Sequence, residues 1–163
     1  MLEYKLSDES NLVISDEVVA HLLKHRQLRI WSREAGGQLF ATFDGPDVTV
    51  RKVTGPRRTD RRGRRHYEPD RAAENAEIKK MHADGLHFVG DWHTHPEKRP
   101  TPSALDVQSL GECVRRSHHQ LNAFFLIVVG CEMPPYGLHV SIHDGLQNRE
   151  LTVLQTACPP SFD

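Results

Sequence analysis

Cysteine is scarce in this sequence: three residues in 163 (Cys113, Cys131 and Cys158), widely separated and never in a CxxC pair. That argues against a disulfide framework and against a cysteine-rich zinc site. No apolar run approaches the roughly 20 residues that a bilayer-spanning helix requires. The opening stretch, MLEYKLSDES, lacks the basic and apolar regions of a secretion signal, so the sequence reads as that of a cytoplasmic protein. Neither sign of charge dominates. There are 21 Lys+Arg against 22 Asp+Glu, a formal net charge of -1, which speaks against a surface devoted to nucleic acid. With 37% hydrophobic and 26% charged residues the chain is not disordered, and its length suits one domain over residues 1–163. What is plentiful is histidine, with 11 residues.

Two short alternating stretches, Leu2–Leu6 and Asn11–Ile14, flank a polar turn and predict a hairpin. Ser15 reads as the N-cap of a helix with Asp16 and Glu17 in its first turn, where the helix dipole favours anions. Val18, Val19, Leu22 and Leu23 recur at helical spacing, which extends that helix to about Leu28. Strands are expected at Gln38–Phe43 and Val48–Thr54, and residues 55–68 read as a long loop. That loop holds six arginines against two acids, a local charge of +4, so the remainder of the chain carries -5. Pro69 suits the first turn of a second helix reaching about Asp84. His87–Thr94 is a third strand region, Ser103 opens a third helix, and Ala123–Val129 is apolar enough for a strand covered on both faces. Leu138–His143 alternates as a half-buried strand, and Glu150–Leu154 is a last one. Strands and helices alternate, but hairpin-like pairs also occur, which makes the sheet mixed and the class α/β or α+β. The tail ACPPSFD is expected to fray.

The chemistry is concentrated in Gly90-Asp91-Trp92-His93-Thr94-His95-Pro96, followed six residues later by Ser103-Ala104-Leu105-Asp106. Alternate strand side chains share a face, so His93 and His95 point the same way. Pro96 and Pro100 turn the chain back, and Asp106, one turn into the next helix, can add a carboxylate. Two histidines and one carboxylate, with a fourth position left to water, suit a catalytic zinc site better than a closed structural one. Each piece alone has a plainer explanation. An HxH on a strand is often polar surface, and Ser103 with Asp106 is a capping-box variant that serves helix stability.

Taken in order, His93-Thr94-His95, seven residues, Ser103, two residues and Asp106 resemble the HxH-x7-S-x2-D signature of the JAMM (MPN-plus) metalloproteases. Glu34, just before Gly36-Gly37 and an apolar strand, matches that family's upstream glutamate. The form GDWHTHP looks like the small prokaryotic JAB branch, which includes the deconjugating enzymes of CBASS anti-phage operons. The resemblance implies a three-layer, cytidine-deaminase-like α/β sandwich with a central mixed sheet flanked by helices. It implies Zn2+ held by His93, His95 and Asp106, Glu34 as general base and Ser103 stabilising the oxyanion. It also implies hydrolysis of the amide bond after the C-terminus of a ubiquitin-like or similarly conjugated protein, such as a nucleotidyltransferase. Such a partner would present an extended C-terminal tail.

Three other readings compete. A non-catalytic MPN scaffold would lack ligands that this sequence keeps. A nucleic-acid-associated module is prompted by the arginine loop, whereas the acidic balance elsewhere opposes it. A zinc deaminase would need HxE and PCxxC, and neither occurs. His118-His119, near the end of the third helix, reads as a dipole complement, Cys131 as packing, and Trp92 as core facing away from the histidines. The arginine loop is expected either to be solvated or to steer an acidic modifier.

Overall fold

In a computed structural model, which describes residues 1–117 and 122–154, nine strands form one mixed sheet. Two further short strands form a separate hairpin. The pair β1 (Leu2–Lys5) and β2 (Asn11–Ile14) is antiparallel, as the sequence predicts. Next comes α1 (Asp16–Lys24), capped by Ser15, whose hydroxyl accepts from the Val18 amide. It ends one turn earlier than its apolar spacing suggests. Only Val18 and Leu22 are buried, and beyond His25 the chain turns away in a loop that leaves Leu28 exposed.

Strand β3 (Gly36–Asp44) pairs antiparallel with β4 (Asp47–Val53) through the expected turn, and the glycine pair belongs to the strand itself. Residues 55–68 are not a long loop. They fold back as β5 (Arg61–Gly63) and β6 (His66–Glu68), a small antiparallel hairpin. Helix α2 (Arg71–Ala83) is capped by Asp70, which accepts from Ala72 and Ala73. Then follow β7 (His87–Thr94), α3 (Ala104–Arg116), β8 (Phe124–Val129) and β9 (Leu138–His143). The last predicted strand is broken at Leu151 into β10 (Asn148–Glu150) and β11 (Thr152–Val153), which pair at opposite edges of the sheet. His118-His119 and the tail from residue 155 lie outside the described residues.

The strand order is β10-β9-β8-β7-β3-β4-β2-β1-β11, with β2/β4 and β7/β8 parallel and the other pairs antiparallel. The layering follows from alternation along β8, whose six residues are all buried. Phe125, Ile127 and Val129 join the core under α1, while Phe124, Leu126 and Val128 join a second core under α3. A sheet apolar on both faces needs helices on both, which is the three-layer α/β sandwich. No helix among the described residues is long and apolar enough to cross a membrane.

One irregularity decides which way the histidines point. The β3/β7 register slips between Leu39 and Phe40, leaving an extra residue at Val89–Gly90. Gly90 sits at φ +145, and a Cβ there would lie 1.9 Å from the Phe125 carbonyl oxygen, so only glycine fits. Past the bulge the alternation is reversed. Val89 and Trp92 both face the α1 core, and Asp91 and His93 face the α2–α3 side.

Candidate metal centre and active site

At the end of β7, His93 and His95 bring their Nε2 atoms to 3.1 Å of each other. Asp106 Oδ2 lies 3.3 Å from His93 Nε2 and 3.5 Å from His95 Nε2. Ligands about 2.0–2.2 Å from a tetrahedral zinc stand roughly 3.3–3.6 Å apart, so these three donors fit one ion. Among the described residues they are the group of three or more His, Cys, Asp or Glu side chains close enough to hold a metal. The donor set of two imidazoles and one carboxylate is that of an open catalytic site rather than a closed structural one.

Local structure holds each donor. Asp106 is the third residue of α3, and the capping box is complete. Its carboxylate accepts from the Ser103 amide at 2.7 Å, and Ser103 Oγ accepts from the Asp106 amide at 3.1 Å. The cap and the approach of the carboxylate to the histidines are therefore one arrangement here: the cap aims the same Oδ2 that faces them. Burial alone would raise the Asp106 carboxyl, but hydrogen bonds from His93 and His95 outweigh it and hold the group well below the usual carboxylate range. His95 moves up, chiefly through its hydrogen bond to Asp106.

Glu34 lines the same cleft, of about 340 Å³, with His95, Ser103 and Asp106. Burial pushes its carboxyl up, against the opposing pull of His95 and His93. Its backbone is clamped by the hairpin: the Glu34 amide donates to Gly63 O at 2.7 Å, and Arg62 Nε donates to Glu34 O at 2.5 Å. Gly37 then lets the strand pass under the site. A Cβ there would fall 1.8 Å from Thr54 O and 2.9 Å from Trp92 Nε1. Trp92 is buried, donates to Thr54 O and faces away from the histidines.

Several contributors escape sequence reading. Thr94, between the two histidines, points to the opposite face, where its Oγ1 accepts from the Ala35 amide and donates to Gln27 Oε1. Gln27 also donates to Ser32 O and Arg64 O, so one buried amide ties the Glu34 loop to β7 and to the hairpin. A glutamine just past a helix carries no spacing signal that could have marked it. The arginines are also largely committed. Arg57 is buried among Asp60, Glu74 and Glu77, Arg62 holds Glu34 O, and Arg64 donates to the carbonyls of Arg29 and Ile30. Arg58, Arg61 and Arg65 remain exposed.

Comparison with known proteins agrees with this architecture. Residues 15–141 match the model of the prokaryotic homologs of the JAB domain. A Vibrio cholerae protein named CD-NTase/cGAS isopeptidase is 35% identical over 140 residues, covering 79% of this chain and 83% of that protein. An Escherichia coli protein of the same name is 31% identical over 104 residues, covering 62% of this chain and 67% of the relative. The solution structure of a Desulfitobacterium hafniense protein superposes with a TM-score of 0.61 at 20% identity, over 85% of this chain and 88% of that one, a likeness of fold. With the family model spanning most of the sheet and all three helices, the chain belongs to the prokaryotic JAB-domain family.

Proposed function

We propose that this protein is a zinc-dependent isopeptidase that releases a CD-NTase-like nucleotidyltransferase from proteins to which its C-terminal tail is joined. The enzyme class follows from membership of the JAB family and from relatives named as isopeptidases. The observation that carries the chemistry is the convergence of His93, His95 and Asp106 at tetrahedral spacing beside a buried glutamate. A zinc ion held by these three residues would supply Lewis acidity to a water and to the scissile carbonyl.

The protein's own groups do the rest. Glu34, whose carboxyl burial holds above its ordinary value, accepts the proton of the attacking water and returns it to the leaving amine. Ser103 keeps its hydroxyl proton free while its oxygen serves as a helix cap, so it can donate to the carbonyl oxygen as charge builds there. Tyr67 and Pro96 are among the walls of this cleft. An amide bond reaches such a cleft only on an extended segment, which fits a flexible C-terminal tail as the acyl side of the substrate.

The test is hydrolysis of a conjugate between a CD-NTase tail and a carrier lysine, followed by intact-mass spectrometry. Zinc-loaded protein should release both components with the tail carboxylate regenerated. Glu34→Gln should keep zinc and lower turnover by about 10²–10⁴-fold. Cleavage by that variant at the wild-type rate would remove Glu34 from the mechanism, and no cleavage by the zinc-loaded wild type would overturn the reading.

A further inference from the structure

The loop between α1 and β3 leaves Leu28, Ile30 and Trp31 60%, 73% and 72% exposed, and the loop between β8 and β9 exposes Met133 and Tyr136. These are five of the nine large apolar side chains exposed among the described residues, so the exposure is concentrated rather than scattered. We propose that the two loops form the docking surface for the folded body of the nucleotidyltransferase, received through an apolar patch on that protein bordered by carboxylates. The proposal rests on the isopeptidase reading of the neighbouring centre and names how that centre engages its substrate.

Three observations lead to it. The first is placement. Trp31 stands three residues before Glu34, and Arg64, which donates to the carbonyls of Arg29 and Ile30, immediately precedes Arg65 and His66 of the cleft wall. On the second loop, the Cys131 and Glu132 amides donate to Glu97 O and Lys98 O at 2.7 and 3.1 Å, and Glu97 lines the same cleft. The loops also meet: Cys131 Sγ donates to Gln27 O at 3.4 Å, and Arg26 Nη1 donates to Cys131 O at 3.1 Å. The second observation is order. Gln27 Nε2 donates to Ser32 O and Arg64 O, the Ser32 amide to Arg29 O, and the Arg29 amide to Ser32 Oγ. These bonds fix the backbone while Leu28, Ile30 and Trp31 stay in water. Docking on such a surface removes apolar area from water with little cost for ordering the loop. The third observation is charge. Among the described residues Arg26, Arg29, Arg33 and Arg64 have no carboxylate within ion-pair distance, and Arg29 lies over the Trp31 ring, 5.7 Å from its centroid. The one acid of the second loop, Glu132, is held by Arg99 at 3.1 Å. Tryptophan and arginines without counter-charge fit a partner that presents apolar atoms and carboxylates together.

The occupant follows from the reaction. A deconjugating enzyme meets one nucleotidyltransferase on different carrier proteins, and a fixed surface serves every conjugate only if it holds the component they share. The tail enters the cleft as an extended segment, so the body from which it emerges stands outside, against loops that adjoin the cleft wall. An apolar centre with an arginine rim is the composition in which a few side chains carry most of the binding energy.

Isothermal titration of the purified protein with a full-length, unconjugated CD-NTase tests this without catalysis. Ile30→Ser combined with Trp31→Ser should weaken binding by about tenfold. Met133→Asp, on the other loop, should act in the same direction and keeps the test valid if the double variant folds poorly. Arg29→Gln with Arg33→Gln should weaken binding about fivefold at low salt and hardly at high salt. A peptide of the CD-NTase tail alone should bind the apolar variants as it binds the wild type. No binding of the full-length CD-NTase, binding that survives both apolar variants, or an equal loss for the tail peptide would each overturn the proposal. So would cosedimentation with phosphatidylglycerol vesicles, or self-association in ultracentrifugation, that the Ile30/Trp31 variant abolishes, since either would assign the surface to a membrane or to a second copy. Conjugate hydrolysis is read separately. An active isopeptidase whose KM for the full conjugate ignores the apolar variants refutes the docking surface alone. An inactive zinc-loaded wild type refutes the enzymatic reading and leaves the binding comparison interpretable.

Discussion

Between His93 and Asp106 three side chains converge so that their ligating atoms face one another at 3.1–3.5 Å. Between Arg57 and Glu68 the polar groups do the reverse and disperse to separate partners: Arg57 to buried carboxylates, Arg62 to the Glu34 carbonyl, Arg64 to two carbonyls of a neighbouring loop. Both segments are conspicuous in the sequence. In the first, the strand period and a helix cap aim the groups, so their convergence follows from short-range geometry. In the second, the partners other than Asp60 lie 17 to 35 residues away, and the charge run says nothing about where they are. A cluster of like residues is thus a weaker sign of function than unlike donors brought onto one point. The hairpin's contribution to the site is to hold the Glu34 backbone.

The largest expected effect separates ligand from scaffold. His93→Ala and Asp106→Ala should each cut bound zinc from about one ion per chain to below a tenth, measured by plasma mass spectrometry after dialysis. Full retention in both would break the contrast at its stronger end. On the other side, Arg57→Met should leave the zinc ligands intact and destabilise the fold by about 3 kcal/mol, because Glu74 and Asp60 lose a buried counter-charge. Urea unfolding would measure it, and an unchanged midpoint would show that the network is not needed.

A smaller effect comes from His25, which packs against Trp92 at 5.8 Å between ring centroids and lies near Arg62. Burial, with the nearby charges of His21 and Arg62, brings its pKa down to about 4. Between pH 6.5 and 4 the unfolded chain therefore binds a proton that the folded one refuses. Stability falls as the pH drops through that window. Because the ring is only half-buried, solvent screening reduces the effect to about 1 kcal/mol. His25→Gln should flatten the pH dependence of the melting temperature in that range, and an unchanged slope would assign it to other groups. The smallest effect concerns the exposed arginines of the hairpin, of which Arg61 is loosely paired with Glu68 at 3.9 Å. Arg61→Gln with Arg65→Gln should raise KM for a protein conjugate about two- to fivefold at low salt, with kcat and zinc unchanged and the difference gone at high salt. Equal KM at both salt concentrations would make these residues plain surface.

The convergence of His93, His95 and Asp106 was legible because a strand repeats every two residues and a cap fixes the third helical position. Both are local rules that a single sequence displays. The apolar run Phe124–Val129 likewise announced a strand covered on both sides. Less of the hairpin was legible: Arg61–Glu68 has little of the β-branched, alternating character of a strand, and it is ordered by contacts to the loop before β3.

By itself, then, the sequence determined the two-faced sheet, the cap on α3 and the shared direction of His93 and His95. The physical reason is that hydrophobic alternation and capping act over a few residues. Only the tertiary structure decided which face those histidines occupy, since that depends on a bulge at Gly90 forced by the close approach of Phe125. Tertiary structure alone also placed Glu34 beside them, through Gln27, Thr94 and Arg62, whose hydrogen bonds join segments far apart in the chain.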